Sequence, residues 1–179
     1  MKNRIIIAAI AVLGTFSSGI FAASDGDVGT TSTGTTDIQL IVPDLVRIYG
    51  LSDIDLGTYS GMGTETGNTD ACIFRNGAGT YSVTATTDKG NFRISRGAGG
   101  TAAEDIDFTA YWNDESGTTG RAELTYNTAL ETQGGTNTAS ITCGGGYNAN
   151  FSVEIAAADM QTKNPATYEA TVTIVIAPE

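Results

Sequence analysis

The side chains that carry most biological chemistry are scarce in this sequence. There is no histidine, which excludes Ser-His-Asp and Cys-His catalysis and a His-ligated zinc. The two cysteines, Cys72 and Cys143, form no CxxC pair and are too few for a structural zinc or an iron–sulfur cluster. A reactive thiol needs an activating base, and neither cysteine has one adjacent. Carboxylates are plentiful and occur close together, at Asp25/Asp27, Asp53/Asp55, Glu104/Asp105/Asp107 and Asp114/Glu115. Such pairs could serve glycoside hydrolysis or bind calcium. None has the EF-hand arrangement. Asp105 and Asp107 fall on one face of an extended chain and could hold a cation there, but a solvated acidic surface is the simpler reading. The glycine runs at 97–100 and 144–146 lack the GKS/T ending or the helix start of a phosphate loop, and read as turns. Phe108, Tyr111 and Trp112 could stack on a sugar. Strand alternation, however, puts Phe108 and Trp112 opposite Tyr111, as for one core face and one exposed face. We therefore assign no catalytic, cofactor or metal residue, and do not read the chain as an enzyme.

What the elements must position is instead apolar surface. Short segments rich in β-branched and aromatic residues are separated by Gly, Asn and Asp clusters, the pattern of an all-β sandwich or barrel. Strands are expected over 36–42, 45–49, 54–59, 71–75, 80–86, 91–95, 106–112, 122–126, 149–155 and 168–177. Turns are expected at 76–77, 88–90, 97–100, 134–135 and 144–146. Only 156–160 offers helix formers, enough for about one turn. In 36–42 the residues Ile38, Leu40 and Val42 share one face, and Pro43 ends the run because proline cannot donate to a ladder. In the last segment Tyr168, Ala170, Val172, Ile174 and Ile176 share one face, with Thr171, Thr173, Val175 and Ala177 on the other. Both faces grow more apolar along the strand, as in a strand covered on each side. No later strand is available to pair with it, and an uncovered strand edge invites pairing with another segment.

The N-terminus reads as a secretory signal peptide over 1–22. Lys2 and Arg4 precede an apolar run from Ile5 to Leu13, followed by small residues up to Phe21-Ala22-Ala23, with cleavage after Ala22 or Ala23. The run is too short to span a bilayer, which takes about 20 residues, and the mature chain has no membrane span. Residues 24–36 are Ser, Thr, Asp and Gly with one aliphatic side chain, Val28, and the segment 23–35 is expected to be flexible. Residues 36–179 make a single domain. The chain holds 9 basic and 20 acidic residues. Without Lys2 and Arg4 the mature net charge is −13, which disfavours nucleic acid as a partner. In an exported protein two cysteines favour one disulfide. It would close a loop of roughly 70 residues, worth about 4 kcal/mol; two independent buried thiols are the alternative.

Three places resemble a known family. The first is 33–42, Thr-Gly-Thr-Thr-Asp-Ile-Gln-Leu-Ile-Val. The second is Asp55-Leu56-Gly57-Thr58-Tyr59 with Cys72 and Tyr81-Ser82-Val83 downstream. The third is 166–174, Ala-Thr-Tyr-Glu-Ala-Thr-Val-Thr-Ile. Together they are similar to archaic chaperone–usher pilins and the related spore-coat-protein-U-like domain, as a divergent member. The sequence departs from that family in having Pro43 and Asp44 where a cysteine usually follows the donor segment, so Cys72 would pair with Cys143. It also has Ala166-Thr167 where Gly is common. The resemblance implies an immunoglobulin-like antiparallel sandwich that lacks its last strand and is completed by strand donation. Ile38, Leu40 and Val42 would be donor side chains, and Val172, Ile174 and Ile176 would form the acceptor groove. It implies an exported structural subunit of a fimbria or surface fibre, with homologous subunits, a periplasmic chaperone and an outer-membrane usher as partners. The alternative is a self-complete secreted sandwich that binds a glycan or a host surface.

Overall fold

A computed structural model describes residues 22–97 and 104–179. The signal peptide expected over 1–22 lies outside the described residues except for Ala22, as do residues 98–100 of one expected turn. The chain divides into two units, Met1–Val42 and Pro43–Glu179.

In the first unit a single antiparallel bridge joins Ser24 to Thr35. Their amides and carbonyls exchange hydrogen bonds of 3.0 and 3.1 Å, and their hydroxyls meet at 2.8 Å. Residues 36–42 form no strand, and Ile38, Leu40 and Val42 are 93, 84 and 67 % exposed.

The second unit is an all-β, immunoglobulin-like sandwich. One sheet has five strands in the order β1-β2-β9-β6-β7. These are Val46–Tyr49 (β1), Glu65–Arg75 (β2), Ala149–Ile155 (β9), Thr109–Asn113 (β6) and Ala122–Glu123 (β7), all pairing antiparallel. The facing sheet is β11-β3-β8, built from Val172–Pro178 (β11), Tyr81–Thr87 (β3) and Leu130–Gln133 (β8). A small sheet of Tyr168–Glu169 (β10), Arg93–Arg96 (β4) and Ile106–Asp107 (β5) prolongs the β11–β3 pair. The order β1-β2-β9-β6 matches strands A, B, E and D of the immunoglobulin plan, and β3-β11 matches C and F.

Period-two alternation builds the core. Ala71 and Ile73 of β2, Tyr81, Val83 and Ala85 of β3, Ala110 and Trp112 of β6, and Ala149 of β9 are all 0 % exposed. Phe151, Val153 and Ile155 join them. Trp112 donates its indole N–H to the Tyr81 hydroxyl at 3.1 Å, which satisfies both polar atoms inside the core. Phe108 and Trp112 face inward while Tyr111 faces out beneath Arg121, whose guanidinium lies 3.9 Å from the ring centroid. Cys72 and Cys143 form a disulfide with an S–S distance of 2.01 Å. It pins the turn at Cys143–Gly145 to β2. Beyond it the Asn148 side chain acts as a strand surrogate, accepting from the Ile73 amide at 2.7 Å and donating to its carbonyl at 2.9 Å.

Several expectations are corrected. The strand over 36–42 does not form, that over 106–112 divides into β5 and β6, and that over 168–177 divides into β10 and β11. The strand over 54–59 does not form. Asp55 accepts from the Gly57 amide at 2.8 Å in an Asx turn, and Gly57 sits at φ +72°. The segment at 122–126 keeps only Ala122–Glu123 as strand, and the chain then turns over 125–128, where the Thr128 amide donates to the Thr125 carbonyl at 3.1 Å and Asn127 sits at φ +53°. The last strand is covered on one face only. Its outer residues Thr173, Val175 and Ala177 are exposed and lie opposite Thr86, Thr84 and Ser82, a polar surface with no layer above it. Helix α1 (Ala157–Met160) is the single turn expected at 156–160.

Candidate functional site

The inward face of β11 carries Val172, Ile174 and Ile176, which alternate toward the core and pack against it. Their cross-strand neighbours on β3 are Thr87, Ala85 and Val83. Val83 and Ala85 are completely buried, yet all three β11 residues remain partly exposed. The difference lies in the edges. β3 is flanked by β11 and β8, while β11 pairs only with β3, so its second edge has no partner strand among the described residues. In the immunoglobulin plan that edge belongs to strand G. Along this seven-residue strand about every second residue therefore presents unpaired ladder groups beside a strip of aliphatic surface.

A cavity of about 310 Å³ opens along this edge. Phe108, Phe151, Val153 and Ile155 form its floor, and Val172 and Ile174 form one wall. The opposite wall is residues 51–56, which leave the ladder after Gly50 (φ +90°). The Ser52 amide turns to the Thr69 hydroxyl at 2.8 Å instead of to a strand carbonyl. Ile54 and Leu56 then lie over Gly67 of β2. A Cβ on Gly67 would come within 2.3 Å of Ile54 Cγ2 and 2.8 Å of Leu56 Cδ2. Gly67 is thus the position where this strap passes close over the sheet. Ser52, Asp53 and Thr171 give the mouth a polar rim. The arrangement offers an apolar trough with a bare backbone ladder along one side. That can receive an extended peptide.

The other end of β11 is tied down. Arg75, 4 % exposed, forks onto Asp44, with Nε 3.1 Å from Oδ1 and Nη2 2.5 Å from Oδ2. Nη2 also donates to the Glu179 main-chain oxygen at 2.8 Å, and Nη1 to the Thr80 carbonyl. These hydrogen bonds from Arg75 hold the Asp44 carboxyl below the usual carboxylate range, against an opposing contribution from desolvation.

Of the residues singled out in the sequence, Val172, Ile174 and Ile176 line one edge together, and Cys72 meets Cys143. Ile38, Leu40 and Val42 belong to the separate first unit. Asp105 and Asp107 both pair with Arg93, at 3.5 and 3.7 Å. Trp112 is 0 % exposed and offers no stacking platform. Among the described residues no group of three or more Cys, Asp or Glu side chains is placed to hold a metal ion, and no helix is long and apolar enough to cross a membrane. The strap and the Arg75 fork were missed in the sequence. A glycine inside the strand pattern at 67 and an arginine closing an apolar run at 75 were the available signals.

No protein-family model matches the sequence, and no curated protein does. One similar solved structure comes from work described as a chaperone–tip adhesin complex vital for synergistic activation of CFA/I fimbriae biogenesis. The TM-score is 0.55 at 13 % identity, over 75 % of this chain and 42 % of that one. This chain thus spans less than half the length of that structure, and the likeness is one of fold.

Proposed function

We propose that the chain is an exported, non-enzymatic structural subunit of a fimbria or surface fibre, and that the bare edge of β11 accepts an extended strand from a neighbouring copy. The observation that carries this reading is the contrast between fully buried Val83 and Ala85 and the partly exposed Val172, Ile174 and Ile176 in the same sheet. Residues 36–42 are the strand to be donated. Ile38, Leu40 and Val42 repeat every second residue, as a peptide must when it adds to an edge and fills pockets with alternate side chains. Burying each would contribute roughly 1.5–3 kcal/mol before ordering costs. The fold likeness to a chain from a fimbrial chaperone–adhesin complex supports the same role. In this reading a periplasmic chaperone covers the edge before assembly, and an outer-membrane usher delivers the subunit to the cell surface.

The test is to add a peptide of residues 36–42 to a chain comprising 43–179. At a hundredfold excess over its Kd, binding stabilises by about 2.7 kcal/mol, which raises Tm by about 10 °C for a domain of this size. A peptide with Asp at the three aliphatic positions should leave Tm unchanged. No shift with the native peptide, together with a mature chain that stays monomeric at all concentrations, would sink the proposal.

A further inference from the structure

The root of the proposed donor and the end of the proposed acceptor strand are held by the same side chain. Residues 43–45, which follow segment 36–42 directly, are fixed by two consecutive residues at the end of β2. Arg75 forks onto Asp44. Asn76 donates from Nδ2 to the Pro43 carbonyl at 2.7 Å and accepts from the Leu45 amide at 2.9 Å, and its own amide donates to the Leu45 carbonyl at 3.1 Å. The same Arg75 guanidinium holds the main-chain oxygen of Glu179 at the end of β11. Glu179 is tied three times more: its amide donates to the Thr80 carbonyl at 3.0 Å, and its Oε2 accepts from the Thr80 hydroxyl at 2.9 Å and the Thr132 amide at 3.0 Å. Room for the guanidinium comes from Gly79 at φ +140°, where a Cβ would stand 2.5 Å from Nη1. A bidentate arginine–carboxylate pair is among the stronger and more directional contacts a protein can make.

We propose that Arg75 is a positioning residue that transmits tension between the N-terminal donor segment and strand β11, forming a mechanical clasp across one end of the sandwich. The role rests on the proposed strand donation. In a fibre, pull arrives through 36–42 and leaves through the hydrogen bonds along the edge of β11. Through Asp44, Arg75 and Glu179 that pull crosses three side chains and main-chain groups at one end of the domain. Without Arg75 it would run through the neutral hydrogen bonds of Asn76 to residues 43 and 45, the backbone of 77–80 and the bonds between Thr80 and Glu179. The clasp bonds are also loaded together, because one planar group makes all of them.

The mature chain, tethered by its N-terminus and by a tag appended after Glu179, can be held at constant force in a single-molecule instrument. Arg75→Gln and Asp44→Ala should open about tenfold or more faster than the parent, as expected for losing hydrogen bonds to a charged group. Arg121→Gln, which breaks the 2.7 Å pair with Glu154 away from this route, should open at the parent rate. If Arg75→Gln does not fold, Asp44→Ala decides, since Asp44 is exposed. Parent-like opening of the clasp variants, or equal acceleration by Arg121→Gln, overturns the proposal. Polymerisation of the untethered parent is scored separately. Absence of polymer with an intact clasp result refutes the fibre reading and leaves the tie in place.

Discussion

Replacing Gly67 by alanine tests the wall of the trough directly. The new methyl would lie 2.3 Å from Ile54 Cγ2 and 2.8 Å from Leu56 Cδ2, against about 3.5–4.0 Å for an unstrained carbon contact. Leu56 Cδ2 is a flexible tip, but the Ile54 methyl sits on a β-branched carbon with little rotamer freedom. The strap must therefore lift by on the order of 1 Å. Overpacking of this kind costs about 1–3 kcal/mol. Reduced freedom of the unfolded chain returns about 0.4–1 kcal/mol, leaving a net loss of about 1–2 kcal/mol. For a domain of this size that lowers Tm by about 3–10 °C, measured by circular dichroism with increasing temperature. Dye binding to apolar surface should rise, because lifting Ile54 and Leu56 uncovers Phe151 and Val153. The double variant Gly67→Ala/Ile54→Ala should recover about 1 kcal/mol relative to the sum of the single changes, since the methyl then occupies vacated space. An unchanged or higher Tm for Gly67→Ala, or strict additivity in the pair, would refute the close passage of the strap.

Two further outcomes follow from the core. The Tyr81 phenol is pushed up to about 12, chiefly by burial, with the Trp112 hydrogen bond opposing and the Asp114 charge reinforcing. Its folded value lies above the unfolded value of about 10, so its contribution is complete below pH 10 and is lost as pH rises toward 12. The loss amounts to about 3 kcal/mol, and unfolding midpoints in urea should fall across that window in the parent but not in Tyr81→Phe. Reducing the Cys72–Cys143 bond, which spans 71 residues, should remove about 4 kcal/mol and lower Tm by about 12–20 °C; a change under 5 °C would show that the bond constrains little.

Strands whose alternation is unbroken were legible in the sequence. β3 and β9 appear within a residue of the expected bounds because each buries one complete face, while the segments over 106–112 and 168–177 each divide into two strands, β5 and β6, and β10 and β11. The trough was half legible. Its β11 wall follows from Val172 and Ile174, while the opposite wall does not, because Ile54 and Leu56 have strand spacing but no ladder. Local chemistry overrides the pattern there, with the Asp55 carboxylate capturing the Gly57 amide and Thr69 capturing the Ser52 amide. β8 was not expected because Thr132, at φ +62°, breaks its alternation, and the pairing with β3 shifts register between Tyr81 and Val83. The fork at Arg75 depends on residues 44, 80 and 179 meeting in space, which no local spacing records. Residues 36–42 alternate in the sequence as a half-buried strand would, yet they form no strand and Ile38, Leu40 and Val42 stay exposed, because alternation alone supplies no pairing partner.

The unequal lengths of the sheet margins bear on how such a molecule grows. β7 offers two residues and β8 four, one of them in the left-handed region, whereas β11 offers seven in regular register. Under the proposed strand donation each molecule would receive at this one long margin and donate one segment, which would make it a unit of an unbranched chain with distinct head and tail. Chain length then depends on stoichiometry. A copy without its leading residues can still receive but has nothing to pass on, and would act as a terminator whose mole fraction limits the length of every strand it joins.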